Sequence, residues 1–409
     1  MSGSMRRTIS QRAAGLPPSG IRKFFDLAES VEGIVKLGVG EPDFPPPWHV
    51  REAIMDSLSK GQTSYTSNPG LFELRRLIAR NLAESYGVEY DPATEILVTV
   101  GTSEALDLAL RCLLDPGDEA IVHEPCFVSY VPLISLAGGA PVAVSTSEED
   151  AFKLQPKALQ GALSERSKML LLSYPNNPTG ATMSREELEP LAEIVAKRDL
   201  YVISDEIYAS LTYEGEHCCF ASLPGMRERT VLLNGFSKSH AMTGLRIGYA
   251  AGPAEIIGAM NKVHSYVAMC APVSAQIGAI EALRNGQEAV QRMIREYDQR
   301  RRVFVNGLNQ LGLRCFMPKG AFYAFPSIAA TGMSSAEFCE RLLREQKVAA
   351  VPGSVFGACG EGYIRCAYAN SIGELKTALE RMRTFLQEHQ LAEKRSGGSG
   401  RPAARSQGG

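Results

Sequence analysis

The chain has 409 residues, 44% of them hydrophobic and 22% charged, with a formal net charge of -2. That length suits two or three domains around a large core, and the near-neutral balance argues against nucleic acid or an anionic membrane surface as partner. No apolar run approaches the roughly 18 residues of a membrane span, and no signal-peptide pattern is expected at the N-terminus. Nine scattered cysteines without a C-x-x-C pair argue for free thiols in a reducing cytoplasm, and six scattered histidines suggest no metal.

Past about residue 90, strand-like apolar runs alternate with helical patterns. The predicted strands are "EILVTVG" (95–101), "EAIVHEP" (119–125), "PVAVST" (141–146), "KMLLLSYP" (168–175), "LYVISDE" (200–206), "TVLLNG" (230–235) and "RIGYAAG" (246–252). Several are continuously apolar, as expected when helices cover both sheet faces. Between them lie helices such as "TSEALDLALRCLL" and "SREELEPLAEIVAKR", the second opened by a capping box of Ser184 and Glu187. This alternation predicts an α/β fold with a mostly parallel sheet. After about residue 254 the pattern turns helical, and a charged stretch at 286–312 is predicted to bridge to a smaller domain. There, short strands ("GAFYAFP", "VAAVPG", "YIRCAYA") mix with helices at about 334–346 and 371–390, whose starts pair Ser334 with Glu337 and Ser371 with Glu374. The expected division is a large domain over 46–290, a smaller α+β domain over 291–391 joined by an N-terminal arm over 10–45, and a disordered Gly/Ser-rich tail over 392–409.

Polar residues collect where the predicted strands end. Thr102 and Ser103 follow "ILVTVG", Phe127 follows "IVHEP" and Asn177 follows "LLLSYP"; Asp205 closes "LYVIS" with Tyr208 beyond it, and Lys238 follows "TVLLNGFS". In a parallel sheet these carboxyl ends form one rim, and ligands bind there. Gly101, Thr102 and Ser103 read either as an N-cap that starts a helix or as N–H groups and hydroxyls for a phosphate, to which Arg246 adds a guanidinium fork. Asp205 needs either a structural partner or a cationic ligand, such as the protonated pyridine nitrogen of pyridoxal phosphate. Asn177 and Tyr208 suit that cofactor's phenolate oxygen and Phe127 its ring face, although Tyr208 and Phe127 also read as core. An ordinary lysine is protonated and not nucleophilic. Desolvation and the charge of Arg246 would free the Lys238 amine to bond an aldehyde and then move a proton. Arg365, inside the apolar "YIRCAYA", needs either a structural carboxylate or an amino acid's α-carboxylate.

Together, "LGVGEPDF" (37–44), "TSYTSNPG" (63–70), "VTVGTSEAL" (98–106), "NNPTG" (176–180), "SDEIY" (204–208), "NGFSKSHAMTGLRIGYA" (234–250), "KGAFYAFP" (319–326), "VPGSVFG" (351–357) and "IRCAYA" (364–369) carry a resemblance. They span nearly the whole chain, in family order. The chain resembles class I/II aminotransferases of pyridoxal phosphate fold type I, close to prokaryotic aspartate and aromatic amino acid aminotransferases. The resemblance implies that Lys238 is the Schiff-base lysine, Asp205 the pyridinium partner, and Tyr208 and Asn177 the phenolate ligands. It further implies that Gly101, Thr102, Ser103 and Arg246 cradle the phosphate, with Ser237 beside them. Many relatives carry the phosphate serine three residues before the lysine, where this chain has Gly235. Phe127 matches the ring-stacking position and Arg365, with the Gly40 backbone, the α-carboxylate clamp. Tyr65 matches a tyrosine that reaches the neighbouring subunit's cofactor, which implies a homodimer. Some aspartate-preferring relatives have a lysine at the place of Ser103, so aromatic or broad amino donors with 2-oxoglutarate as acceptor are expected, in a ping-pong transamination. The same residues also serve carbon–sulfur lyases and aminocyclopropane carboxylate synthases, which stay open. A non-catalytic cofactor-binding module would want a DNA-binding domain ahead of the fold, and a nucleotide-binding protein a G-x-G-x-x-G or G-K-[ST] loop; neither is expected here.

Overall fold

A computed structural model describes residues 9–16, 20 and 32–397 of the chain. Its twelve strands are β1 (Val35–Lys36), β2 (Ile96–Thr99), β3 (Glu119–Glu124), β4 (Ala140–Ser145), β5 (Ser167–Leu172), β6 (Tyr201–Asp205), β7 (Thr230–Gly235), β8 (Gly248–Ala251), β9 (Tyr323–Ala324), β10 (Val348–Ala349), β11 (Val351–Pro352) and β12 (Ile364–Ala367).

The seven apolar runs named above supply β2 to β8, and these form one sheet in the order β2-β8-β7-β6-β5-β3-β4. All run parallel except β8, which is antiparallel to both its neighbours. The connection between Gly235 and Gly248 carries only a short 3-10 turn, Thr243–Leu245, and no crossover helix, so the chain turns back on itself. Successive residues of one strand enter opposite layers. Val231 and Leu233 pack with Leu106, Leu110 and Ile257, whereas Leu232 packs with Leu74, Ile78 and Ala275. A third cluster sets Leu170, Leu172 and Val202 against Leu188, Leu191 and Val195 of the helix Arg185–Lys197. Burial on both faces explains why the strands read as unbroken apolar runs.

The helix starts follow their local chemistry. The Ser184 N–H donates to the Glu187 carboxylate at 2.9 Å. At Ser371 the exchange is reciprocal: its N–H donates to Glu374 at 3.1 Å and its hydroxyl accepts from the Glu374 N–H at 3.2 Å. At Ser334 only the hydroxyl half forms, to the Glu337 N–H at 3.2 Å.

The smaller α+β unit holds β1 paired parallel with β10, and an antiparallel trio β11-β12-β9. The 24-residue helix Gln287–Gln310, about 36 Å long, lays Met293, Tyr297, Phe304, Val305 and Leu308 into the same core as Ala324, Cys366 and Leu379. It also ties down the segment leaving β1. Buried Arg300 donates to both Asp43 oxygens at 2.8 Å, and Phe44 meets the Tyr297 ring edge-on with centroids 5.5 Å apart. The last helix is described as far as Gly397, so it enters the stretch expected as a tail from 392; residues 398–409 lie outside the described residues. Among the described residues no helix is long and apolar enough to cross a membrane, and no cluster of His, Cys, Asp and Glu could hold a metal ion.

Candidate active site

Sheet direction decides which side chains meet. β2, β3, β5, β6 and β7 all end on one rim, and antiparallel β8 begins there, with Gly248 opposite both Thr99 and Gly235. Arg246 therefore reaches the rim from the front of its strand, whereas Asp205 and Lys238 reach it from behind theirs. The rim and the segment after β1 enclose a cavity of about 570 Å³ lined by Gly40, Thr102, Ser103, Phe127, Asn177, Asp205, Tyr208, Ser237, Lys238, Arg246 and Arg365, among others. Thus residues spread from position 40 to position 365 share one space.

Gly101 lies just behind this lining. Its φ of +75° is left-handed, and a Cβ there would sit 2.5 Å from an Arg246 guanidinium nitrogen. Only glycine accommodates both the turn and the close approach. Tyr65 stands apart: it is 81% exposed, on the loop between the helices Trp48–Ser59 and Phe72–Tyr86.

Burial shapes Lys238, Asp205 and Tyr208. The Lys238 ammonium donates to the Gly40 carbonyl at 2.6 Å. Burial lowers its pKa to about 8, with Glu41 opposing and the Arg365 and Arg246 guanidinium groups adding to the drop. Arg365 thus contributes to a depression that the sequence assigned to Arg246. Asp205, 7% exposed, accepts from the Tyr130 hydroxyl at 2.8 Å and from the Ile207 N–H at 3.2 Å. Burial pushes its carboxyl up to about 6 against those two hydrogen bonds, and it has no ion-pair partner among the described residues. The Tyr208 and Tyr323 hydroxyls share a hydrogen bond of 2.7 Å, and burial raises the Tyr208 phenol well above its ordinary range. Arg365, 2% exposed, donates to Asn177 Oδ1 at 2.9 Å and to the Gly38 carbonyl at 2.7 Å, and lies 4.6 Å from the centre of the Tyr323 ring. Its Nε has no partner. Neither Arg365 nor Arg246 pairs with a carboxylate among the described residues.

Ser237 is buried in the lining. Gly235 shows why a serine does not stand two residues earlier: a Cβ there would lie 2.8 Å from Thr102 Oγ1 and 2.9 Å from the Gly248 Cα. The two strand ends and the helix start meet backbone to backbone at that point.

Sequence reasoning missed Tyr130 and Tyr323. Both sit in apolar runs that read as core, yet a buried tyrosine hydroxyl needs a partner. That need was the available signal. Here the partners are Asp205 and Tyr208.

The comparisons with known proteins agree with this geometry. A family model described as "Aminotransferase class I and II" matches residues 32–382. Aromatic-amino-acid aminotransferase 2 of Thermococcus litoralis is 43% identical over 386 residues, covering 94% of this chain and 99% of its own. A Bacillus subtilis protein named as a proposed aminotransferase, YugH, is 53% identical over 382 residues, covering 93% and 99%. Among solved structures, aspartate aminotransferase from Thermus thermophilus with maleate superposes with a TM-score of 0.89 at 39% identity, over 93% of this chain and 100% of that one. The chain belongs to the class I and II aminotransferase family, whose members depend on pyridoxal phosphate. It is an aminotransferase with the fold type I architecture.

Proposed function

We propose that this enzyme moves the amino group of an L-amino acid to a 2-oxo acid, with 2-oxoglutarate as acceptor, by a ping-pong cycle on pyridoxal phosphate held in the cavity above. The observation that carries the reading is the pairing within one cavity of a buried carboxylate without a cationic partner, Asp205, and a lysine of lowered proton affinity, Lys238. Asp205 fits a protonated ring nitrogen, which would supply the missing cation. Gly101, Thr102, Ser103, Ser237 and Arg246 fit the phosphate, through hydroxyls, N–H groups and one guanidinium. Tyr208 and Asn177 fit the ring oxygen, and Phe127 one ring face. When bound, the cofactor supplies an electron sink for the negative charge left as the α-proton departs.

The protein's own residues do the rest. Arg365, held by Asn177 and the Gly38 carbonyl and left with an unpartnered Nε, binds the substrate α-carboxylate, helped by the Gly40 backbone. That contact orients the α-hydrogen toward Lys238. The neutral Lys238 amine takes that proton from the α-carbon and would return it two atoms along, at the former aldehyde carbon, which is general acid–base work for a group poised near neutral pH. Tyr65 serves the phosphate of a neighbouring subunit in a homodimer. The nine free cysteines suit a reducing cytoplasm.

The test is Lys238→Ala. The purified variant should lose the bound cofactor's visible absorbance at neutral pH and at least about three orders of magnitude in turnover. Retention of both would remove Lys238 from this role. Adding one amino acid without any acceptor should stop after a single turnover; sustained release of pyruvate and ammonia would instead establish a lyase.

A further inference from the structure

Four cations line the cavity: Lys36, Lys238, Arg246 and Arg365. The reading above uses three of them, one each for the aldehyde, the phosphate and the α-carboxylate. Lys36 is left over. It is the exposed second residue of β1, whose first residue, Val35, is buried in the core. The lysines that form ion pairs among the described residues are Lys60, Lys153 and Lys168, so Lys36 has no carboxylate partner among them.

Its place in the fold is defined. β1 pairs with β10, and β11, a residue further on, pairs Val351 with Arg365. Two residues after Lys36, Gly38 gives its carbonyl to Arg365. Lys36 is therefore an exposed part of the cavity lining on the same strap that braces the α-carboxylate clamp. Glu41, the nearest lining anion along the chain, accepts from the Thr243 hydroxyl at 3.3 Å and directs its field at Lys238. The rest of the lining includes Val39, Leu106, Phe127 and Ile207, with uncharged Ser103.

Such a wall receives an apolar side chain readily, but a second carboxylate enclosed there without a cation would carry a heavy desolvation cost. A 2-oxo diacid thus needs one positive charge beyond the α-carboxylate clamp. Resting on the transamination reading, we propose that Lys36 is the specificity-determining residue that binds the distal carboxylate of dicarboxylic 2-oxo acids and acidic amino acids. A lysine suits a site that must also admit uncharged side chains. Its ammonium is compact and strongly hydrated, on a flexible stem, so it swings back into water when no second carboxylate arrives.

The experiment uses the full-length holoenzyme. After conversion to the amino form with an amino donor, kcat/KM is measured for 2-oxoglutarate and for pyruvate, in the wild type and in Lys36→Gln, Lys36→Glu and Lys36→Arg. The 2-oxoglutarate/pyruvate ratio should fall about fivefold in Lys36→Gln, as for loss of a largely exposed ion pair, and further in Lys36→Glu. Lys36→Arg should keep it within about twofold, and the difference should shrink as ionic strength rises to about 0.5 M. An unchanged ratio in the Gln and Glu variants overturns the proposal, as does an equal fall for both acceptors. A wild-type enzyme that uses pyruvate but not 2-oxoglutarate overturns instead the acceptor named above. The two failures are therefore distinct.

Discussion

At Asp205 function and stability pull in opposite directions. Its carboxyl is pushed up to about 6 from 3.8, so the folded cofactor-free chain holds that proton more tightly than the unfolded one. The resulting stability is present below about pH 4 and is lost as pH rises through about 6. Asp205→Asn should therefore raise the urea midpoint of the cofactor-free enzyme at pH 7, while lowering turnover by about 10²-fold or more, as for loss of a preorganised electrostatic partner. Chemical denaturation and steady-state kinetics on the same preparation check both halves. Lys238 titrates the other way. With its pKa lowered to about 8, the neutral amine grows as pH rises through that value. Capture of added pyridoxal phosphate by the cofactor-free enzyme should accelerate between about pH 7 and 9 and then level off, as read by stopped-flow absorbance. The reacting residues were legible in the sequence because a charge at the end of an apolar strand demands an explanation. Tyr130 was not, because a tyrosine in an apolar run shows its ring before its hydroxyl.

Among the elements, the sheet strands were legible and their directions only in part. Continuous apolar runs such as those of β5 and β7 mark strands covered on both faces, but nothing in a period of two says which way a neighbour runs. β8 is the case in point: no crossover helix precedes it, it runs antiparallel to both neighbours, and that reversal brings Arg246 to the rim. The strands of the smaller unit are two to four residues long, too short for any period to declare itself. Gly235 belongs to this scale as well. A serine there, as many relatives have, would press on Thr102 Oγ1 and the Gly248 backbone. Gly235→Ser should cost about 1–3 kcal/mol of stability and weaken cofactor affinity by shifting the start of the helix Gly101–Leu113. Thermal unfolding and a cofactor titration measure the two effects. At the last helix, Ser371→Ala should cost about 1 kcal/mol by removing one side of the reciprocal cap.

For the whole molecule, exposed apolar side chains bear on the proposed homodimer. Trp48, Met55 and Leu58 on one helix, Tyr65 and Phe72 beyond it, and Tyr266, Val267 and Met269 at the end of another are all at least 46% exposed. Exposed large apolar side chains of this kind suit association, and in the proposed homodimer a two-fold interface would place each Tyr65 toward the other subunit. Met55→Glu with Leu58→Glu should give a monomer by analytical ultracentrifugation with little remaining activity. Tyr65→Phe should leave the dimer intact and weaken cofactor affinity by up to about tenfold. Of these residues only Tyr65 was singled out from the sequence, because the exposure of an apolar side chain is set by the fold and not by its place in the chain. The strap after β1 has a further consequence, one of timing. Its Gly40 carbonyl meets Lys238 across 198 residues, and its Gly38 carbonyl meets Arg365 across 327. During synthesis the strap leaves the ribosome before both partners, and Arg365 follows Lys238. A nascent chain halted at residue 360 would carry the lysine and the phosphate cradle yet lack the substrate clamp.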